Sequence, residues 1–231
     1  MLARSSPYDA IGHVVSGLLI LGACEAAHDG RWLIGRDWPP GRVSMYLTLA
    51  YSIGQIVAFL SRAVIEQLFV RNCLPAPEDV LLAGSTTSSP TWRQRLFPAY
   101  FQPLDVVKKE RVWLAAGRDG LPGSARAIFD HAATLVENDE VAIRKAVRSW
   151  QFAGLWRNLC LGLLIVAAIL VSGMLWHSVS ASWGKSDWRK LGYCTLALWE
   201  SASMFYRYLK CRRRHAVDVL TGYAIAREQS P

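Results

Sequence analysis

Apolar side chains fall along this chain in long blocks, and one of them, residues 159–176 (LCLGLLIVAAILVSGMLW), is eighteen residues without a charge, a proline or an amide. Such a run fits a helix crossing a hydrocarbon core ~30 Å thick, which takes about 20 residues at 1.5 Å each. A buried helix of a water-soluble protein keeps a polar stripe, and this one has none. A block at residues 9–27 carries Gly12, Ser16, Gly17 and Gly22, small positions that let helices approach closely in lipid. A further block, residues 44–60, is expected to continue as helix to about residue 70, with Gln55 near its middle. The last block, residues 190–208, holds Glu200 at mid-depth.

The intervening pattern is different. Prolines at 75, 77, 90, 98 and 103 break the start of residues 71–150 into short pieces, and GSTTSSP at 84–90 reads as a loop. Helical spacing returns at 104–116 and 124–137, with Ser124 as a candidate cap and Gly117, Gly120 and Gly123 between the two. A helix opening near Asp139 has acidic residues in its first turn and meets no proline before residue 176, so one continuous helix is expected from 139 to 176. Loops are expected at 28–43, punctuated by Pro39-Pro40-Gly41, and at 177–190. After residue 208 comes the basic run 210–214 and a short helix to about 226. The pattern predicts an all-α protein with four transmembrane helices and a helical cytoplasmic region between spans 2 and 3. Its parts are residues 1–70, 71–150, 151–210 and a tail at 211–231.

Composition supports this. Of 231 residues, 52% are hydrophobic, and a mean hydropathy of +0.17 suits several spans plus a modest soluble part. Trp38, Trp156, Trp176, Trp183 and Trp188 sit at the ends of apolar runs, where tryptophan prefers the headgroup interface. The five cysteines form no CxxC pair, which argues against a disulfide scaffold or a zinc site. The first apolar run reads as a retained span, since no small-residue cleavage site ends it. The net charge of +8 is unevenly spread: loops 28–43 and 177–190 hold six of the 26 basic residues and the other side holds twenty. The positive-inside rule then places both termini and the middle region of a multi-pass protein in the cytoplasm. A three-span chain would separate the C-terminal basic cluster from the middle region, against that rule.

Candidate chemistry follows from polar groups in apolar surroundings. A carboxylate at mid-membrane costs ~2.5–3.5 kcal/mol on insertion scales, so Glu200 should face a partner, a bundle interior or water. It could serve a polar pathway, or fix helix register against Gln55 at similar depth. Glu25, near the far end of span 1, could form a ring of charge in an oligomer. With the small-residue face at Ser16 and Gly17, these residues are the pore or gate candidates. Asp9 and His13, four apart, could form a protonation switch or a local hydrogen bond, and the local bond is favoured. Arg62 and Glu66 read as an i,i+4 pair, and Arg157 and Arg207 as cations reaching for phosphates at span ends. Arg126 and His131 match the R-x4-H spacing of HEPN ribonucleases. Residues five apart on a helix point about 140° away from each other, so that match is weak. Arg144, Lys145 and Arg148, with the cluster at 212–214, are candidates for an anionic ligand or lipid headgroups. No Walker, Rossmann, HExxH or GxSxG pattern is present, so no enzyme, catalytic residue, metal or cofactor is expected.

Tyr8-Asp9-Ala-Ile-Gly12-His13 opening the first span, Ser52-Ile-Gly54-Gln55 in the second and Phe205-Tyr206-Arg207-Tyr208-Leu209-Lys210 leaving the last resemble small bacterial inner-membrane proteins found beside anti-phage genes. The architecture is similar to that of the membrane effectors of the Hailong system. That resemblance covers the spans and implies a homo-oligomeric ion channel. Its cytoplasmic part would read an oligonucleotide or cyclic nucleotide made by a partner nucleotidyltransferase. Arg126, His131, Arg144, Lys145 and Arg148 would be the ligand-binding candidates. The alternative is a membrane-anchored interaction module without a pore, and a membrane-tethered ribonuclease ranks third.

Overall fold

The computed structural model describes residues 7–27, 40–83, 91–137, 140–180 and 185–229. Of the loops expected at 28–43, 84–90 and 177–190, residues 28–39, 84–90 and 181–184 lie outside the described residues, as does the Asp9 side chain, and residues 40–43, 177–180 and 185–190 are helical instead. Every element is helical, with no strand among the described residues. They are α1 (Pro7–Ala27), α2 (Pro40–Ser61), a π-helix (Arg62–Val70) ending in the short α3 (Arg71–Cys73), α4 (Pro77–Leu82), α5 (Trp92–Leu96), α6 (Val106–Arg118), α7 (Ala125–Val136), α8 (Glu140–Ser180) and α9 (Lys185–Gln229). Three stretches, Ala10–Ala27, Gly41–Leu82 and Ile143–Trp176, are long and apolar enough to cross a membrane.

The long helix expected at 139–176 is α8, which starts at Glu140 and carries on to Ser180. The last helix departs from expectation. Instead of a span followed by a separate short helix, α9 runs unbroken for 45 residues. The basic run 210–214 looks like a boundary in hydropathy, but lysine and arginine are good helix formers and no proline interrupts it.

The chain divides into two compact units. One comprises Met1–Leu68 and Gly154–Arg207, the other Phe69–Ala153 and Tyr208–Pro231. Both α8 and α9 therefore contribute to each unit.

In the first unit α1 and α2 run antiparallel at very close approach. A Cβ added at Gly17 would overlap the Ala50 carbonyl, and one at Gly54 would overlap the His13 carbonyl. Glycine is required at both positions because main chain meets main chain there, as at small-residue helix contacts in lipid. α1 runs alongside α8 in the same direction, with Gly12 facing Leu155, Ser16 facing Gly162 and Ala27 facing Gly173. α9 runs antiparallel to α8. Ser201 donates to the Cys160 carbonyl at 3.0 Å, and the Cys194 thiol lies 3.8 Å from the Ala167 carbonyl.

The second unit has a conventional apolar core. Leu81 and Leu82 of α4, Val112 and Ala116 of α6, Ile128 and Val136 of α7, Ala146 of α8 and Val219, Leu220 and Tyr223 of α9 are all buried in it. Asp105 caps α6 by accepting the Val107 amide at 3.0 Å. The helix ends in a Schellman turn, with Leu121 N–H on the Ala116 carbonyl, Gly120 N–H on the Gly117 carbonyl and Gly120 at φ 64°. Ser124 occupies the N-cap of α7, but its hydroxyl makes no cap bond.

Candidate functional site

The sequence points to polar groups on the apolar helices, and in the first unit these gather at two levels. The first is built on the α1–α2 crossing. Gln55 donates through Nε2 to His13 Nδ1 at 3.0 Å and to the Tyr51 hydroxyl at 2.8 Å. An amide nitrogen can only donate, so Nδ1 of His13 is the accepting nitrogen. His13 and Tyr51 also meet edge to face, with ring centroids 5.9 Å apart. This cluster points outward: Gln55 is exposed and Tyr51 is 42% exposed. Thr48 and Ser52, on the same helix, return their hydroxyls to carbonyls four residues back.

Glu200 is half-buried on α9, and among the described residues no hydrogen bond or ion pair engages it. Its level follows from the contacts. Ser201 is bonded to Cys160, which lies between Leu155 and Gly162 on α8. Those face Gly12 and Ser16 on α1, and α1 at 13–17 meets α2 at 54–50. Glu200 thus sits level with Tyr51 and Ser52. The expected Gln55–Glu200 contact is not formed, because the Gln55 amide is spent on His13 and Tyr51. Gln55 also lies about one helical turn from the level of Glu200.

The other pore candidates take up different positions. Ser16 is fully buried, donates to the Gly12 carbonyl at 2.8 Å and packs against Gly162. Gly17 lies in the α1–α2 contact, and Glu25 is half-buried near the end of α1. Close by, the buried Lys190 ammonium is 3.4 Å from the Ala27 carbonyl, a cation at the negative end of a helix.

The second level was not foreseen. Arg157, expected to reach for phosphates, is buried. Its Nη1 is 2.7 Å from Glu66 Oε2 and its Nε is 3.2 Å from Ser61 Oγ. Ser61 in turn donates to Asn158 Oδ1 at 2.6 Å. The expected Arg62–Glu66 pair gives way to this one. Ser61 and Glu66 are five apart, which on an α-helix separates them by about 140°. The chain turns π from Arg62 to Val70, and its i→i+5 geometry brings residues five apart to the same side. Both can then bond one guanidinium. Arg207 lies over the Trp156 ring, 4.9 Å from its centroid.

In the second unit the R-x4-H pair separates. Arg126 binds Glu78 at 2.9 Å and Asp130 at 3.1 Å, whereas His131 lies 3.2 Å from Asp119. Asp119, at the C-cap of α6, is a hub that sequence reasoning missed. Its Oδ2 also accepts from the Tyr223 hydroxyl at 2.7 Å and from Arg227 Nε at 2.9 Å. Burial alone would raise the Asp119 pKa. The bonds from Tyr223, Arg227 and His131 outweigh it and hold the carboxyl below the usual carboxylate range. Burial, together with the Asp119 bond, pushes the Tyr223 phenol up. Arg144, Lys145 and Arg148 are exposed on α8, with Arg148 5.9 Å over the Phe152 ring. Arg213 instead ties down main chain, binding the Gln102 carbonyl at 3.0 and 2.8 Å. No cluster of metal-ligating side chains occurs among the described residues.

What the geometry defines is an all-helical protein with apolar helices able to cross a membrane. No protein-family model matches the chain, and no curated protein or solved structure does either.

Proposed function

We propose that the chain is an inner-membrane protein that assembles with copies of itself into an ion-conducting pore. Residues 190–208 of α9 form its fourth span, and both termini and the second unit lie on the cytoplasmic side. The observation that carries this is the layer of Tyr51, Gln55 and Glu200. A single copy turns Tyr51 and Gln55 outward from apolar helices and leaves Glu200 without a partner. Polar side chains at membrane depth belong against protein or water, so a lone copy in lipid is incomplete. A neighbouring copy and a hydrated path supply both. Exposed Trp188, Tyr193, Leu196 and Trp199 suit a lipid-facing stretch of α9 and support the fourth span.

The second unit is then the receiver of a signal, and exposed Lys145 and Arg148 with Arg144 form its anion-binding face. The resemblance to Hailong effectors makes a nucleotide the first chemistry to try. Purified protein in potassium-loaded liposomes is expected to release the ion, and Glu200→Leu is expected to change that rate at least severalfold. A gradient held intact at every protein-to-lipid ratio, with and without oligoadenylates and cyclic dinucleotides, refutes the pore.

One feature favours a scaffold as second reading. Val106, Val107 and Leu114 stand exposed on α6, an apolar patch suited to a protein partner. In that case liposomes stay tight while the intact protein still captures its partner.

A further inference from the structure

We infer that Glu200 of one copy docks onto Tyr51 of the next, with Gln55 holding the Tyr51 oxygen from behind, and that this contact closes the ring. The inference rests on the homo-oligomeric, four-span reading above and specifies its interface.

Three observations converge on it. The first is chemical complementarity. The Tyr51 oxygen accepts from Gln55 Nε2 at 2.8 Å, so its own hydroxyl hydrogen is left to point elsewhere. Among the described residues it has no acceptor, and Gln55 Oε1 accepts from none. Glu200 is the reverse case, an acceptor with no donor. Tyr51 O–H to the Glu200 carboxylate satisfies two of these groups in one bond.

The second is level. Copies related by an axis along the membrane normal keep every residue at its own depth, so only groups at equal depth can meet across such an interface. The contacts Ser201–Cys160, Ser16–Gly162 and Gly17–Ala50 put Glu200 at the height of residues 51–52 of α2. A helix rises 1.5 Å per residue. An offset of one turn would place the two groups about 5 Å apart in depth and forbid the bond.

The third is the alternative within one copy. Gln55 and Tyr51 are held by His13 and by each other on the α1–α2 face, and Glu200 is on α9 with no bond to them. The hydrocarbon offers no substitute, since lipid tails neither donate nor accept. Because the two docking surfaces are different, the contact is heterologous, and repeating it by rotation generates a closed ring.

The test uses two full-length chains with different tags, one carrying Tyr51→Cys and the other Glu200→Cys, expressed together and oxidised in native membranes. A disulfide-linked pair bearing both tags is expected, above the background from each variant mixed with wild-type chain. Its absence while native mass shows an intact oligomer overturns the contact and leaves the oligomer standing. Monomers only overturn both. A crosslink to a different protein overturns the second copy as occupant. Independently, Tyr51→Phe keeps the ring and removes only the hydroxyl. It is expected to weaken assembly by about threefold per interface, the scale of one hydrogen bond between membrane helices. In a Glu200→Leu background it should have no further effect, and full additivity would refute the pairing.

Discussion

Breaking the Arg157–Glu66 pair from either side should cost unequal amounts. The guanidinium and carboxylate are 2.7 Å apart, and their side chains are 9% and 24% exposed. Glu66→Leu strands a nearly dry guanidinium with Ser61 as its remaining acceptor, so the loss falls in the ~3–5 kcal/mol range for a buried pair that loses one member. Arg157→Met leaves a carboxylate whose edge still reaches water, and about 3 kcal/mol is the upper limit. Replacing both by apolar side chains removes the stranded charge and should restore stability to within ~1 kcal/mol of the parent. For a chain of this size each kcal/mol corresponds to about 2–4 °C. Thermal unfolding of detergent-solubilised protein, followed by tryptophan fluorescence, should therefore fall by roughly 6–20 °C for Glu66→Leu. The double variant should recover most of it. A shift under about 2 °C for Glu66→Leu, or a double variant as unstable as the two singles combined, refutes the buried pair.

Two further outcomes follow from local geometry. Gly17→Ala puts a methyl into the Ala50 carbonyl and must push α1 and α2 apart, at ~1–3 kcal/mol. Gly22→Ala has open space and serves as the control, so equal melting temperatures for the two would contradict the close crossing. Asp119 is held below the ordinary carboxylate value of about 3.9. The stability it contributes is therefore full above about pH 4 and is lost as pH falls through its lower folded value. Asp119→Asn should lower the melting temperature at pH 7 and flatten the acid decline below about pH 4. A variant with an unchanged acid limb would refute the hub.

What was legible in the sequence is what one-dimensional periodicity carries. An uncharged eighteen-residue run needs a helix on every face, and the absence of proline from 139 to 176 lets α8 run through it. Depth is legible only to about a turn: counting residues from the ends of apolar runs puts Glu200 near Gln55, and the contacts put it level with Tyr51 and Ser52. Azimuth is not legible. Which way Gln55 faces is set by Gly17 and Gly54 admitting main chain of the opposite helix, a property of the pair and not of either sequence segment. The same limit hid the Arg157 cluster. Ser61 and Glu66 share a side only because Arg62–Val70 adopts a π register, and sequence spacing read at 100° per residue places them apart. Asp119 was hidden in a different way. It stands in a glycine-rich connection that reads as a spacer, and only the Schellman turn at Gly120 aims the chain so that Tyr223 and Arg227, more than a hundred residues later, reach one carboxylate oxygen. Each missed feature thus depends on a local departure from the regular α-helix or on a contact distant in sequence. Glu200 and Tyr51 raise the same problem one step further out, since the proposed ring would join level groups that do not meet within one chain.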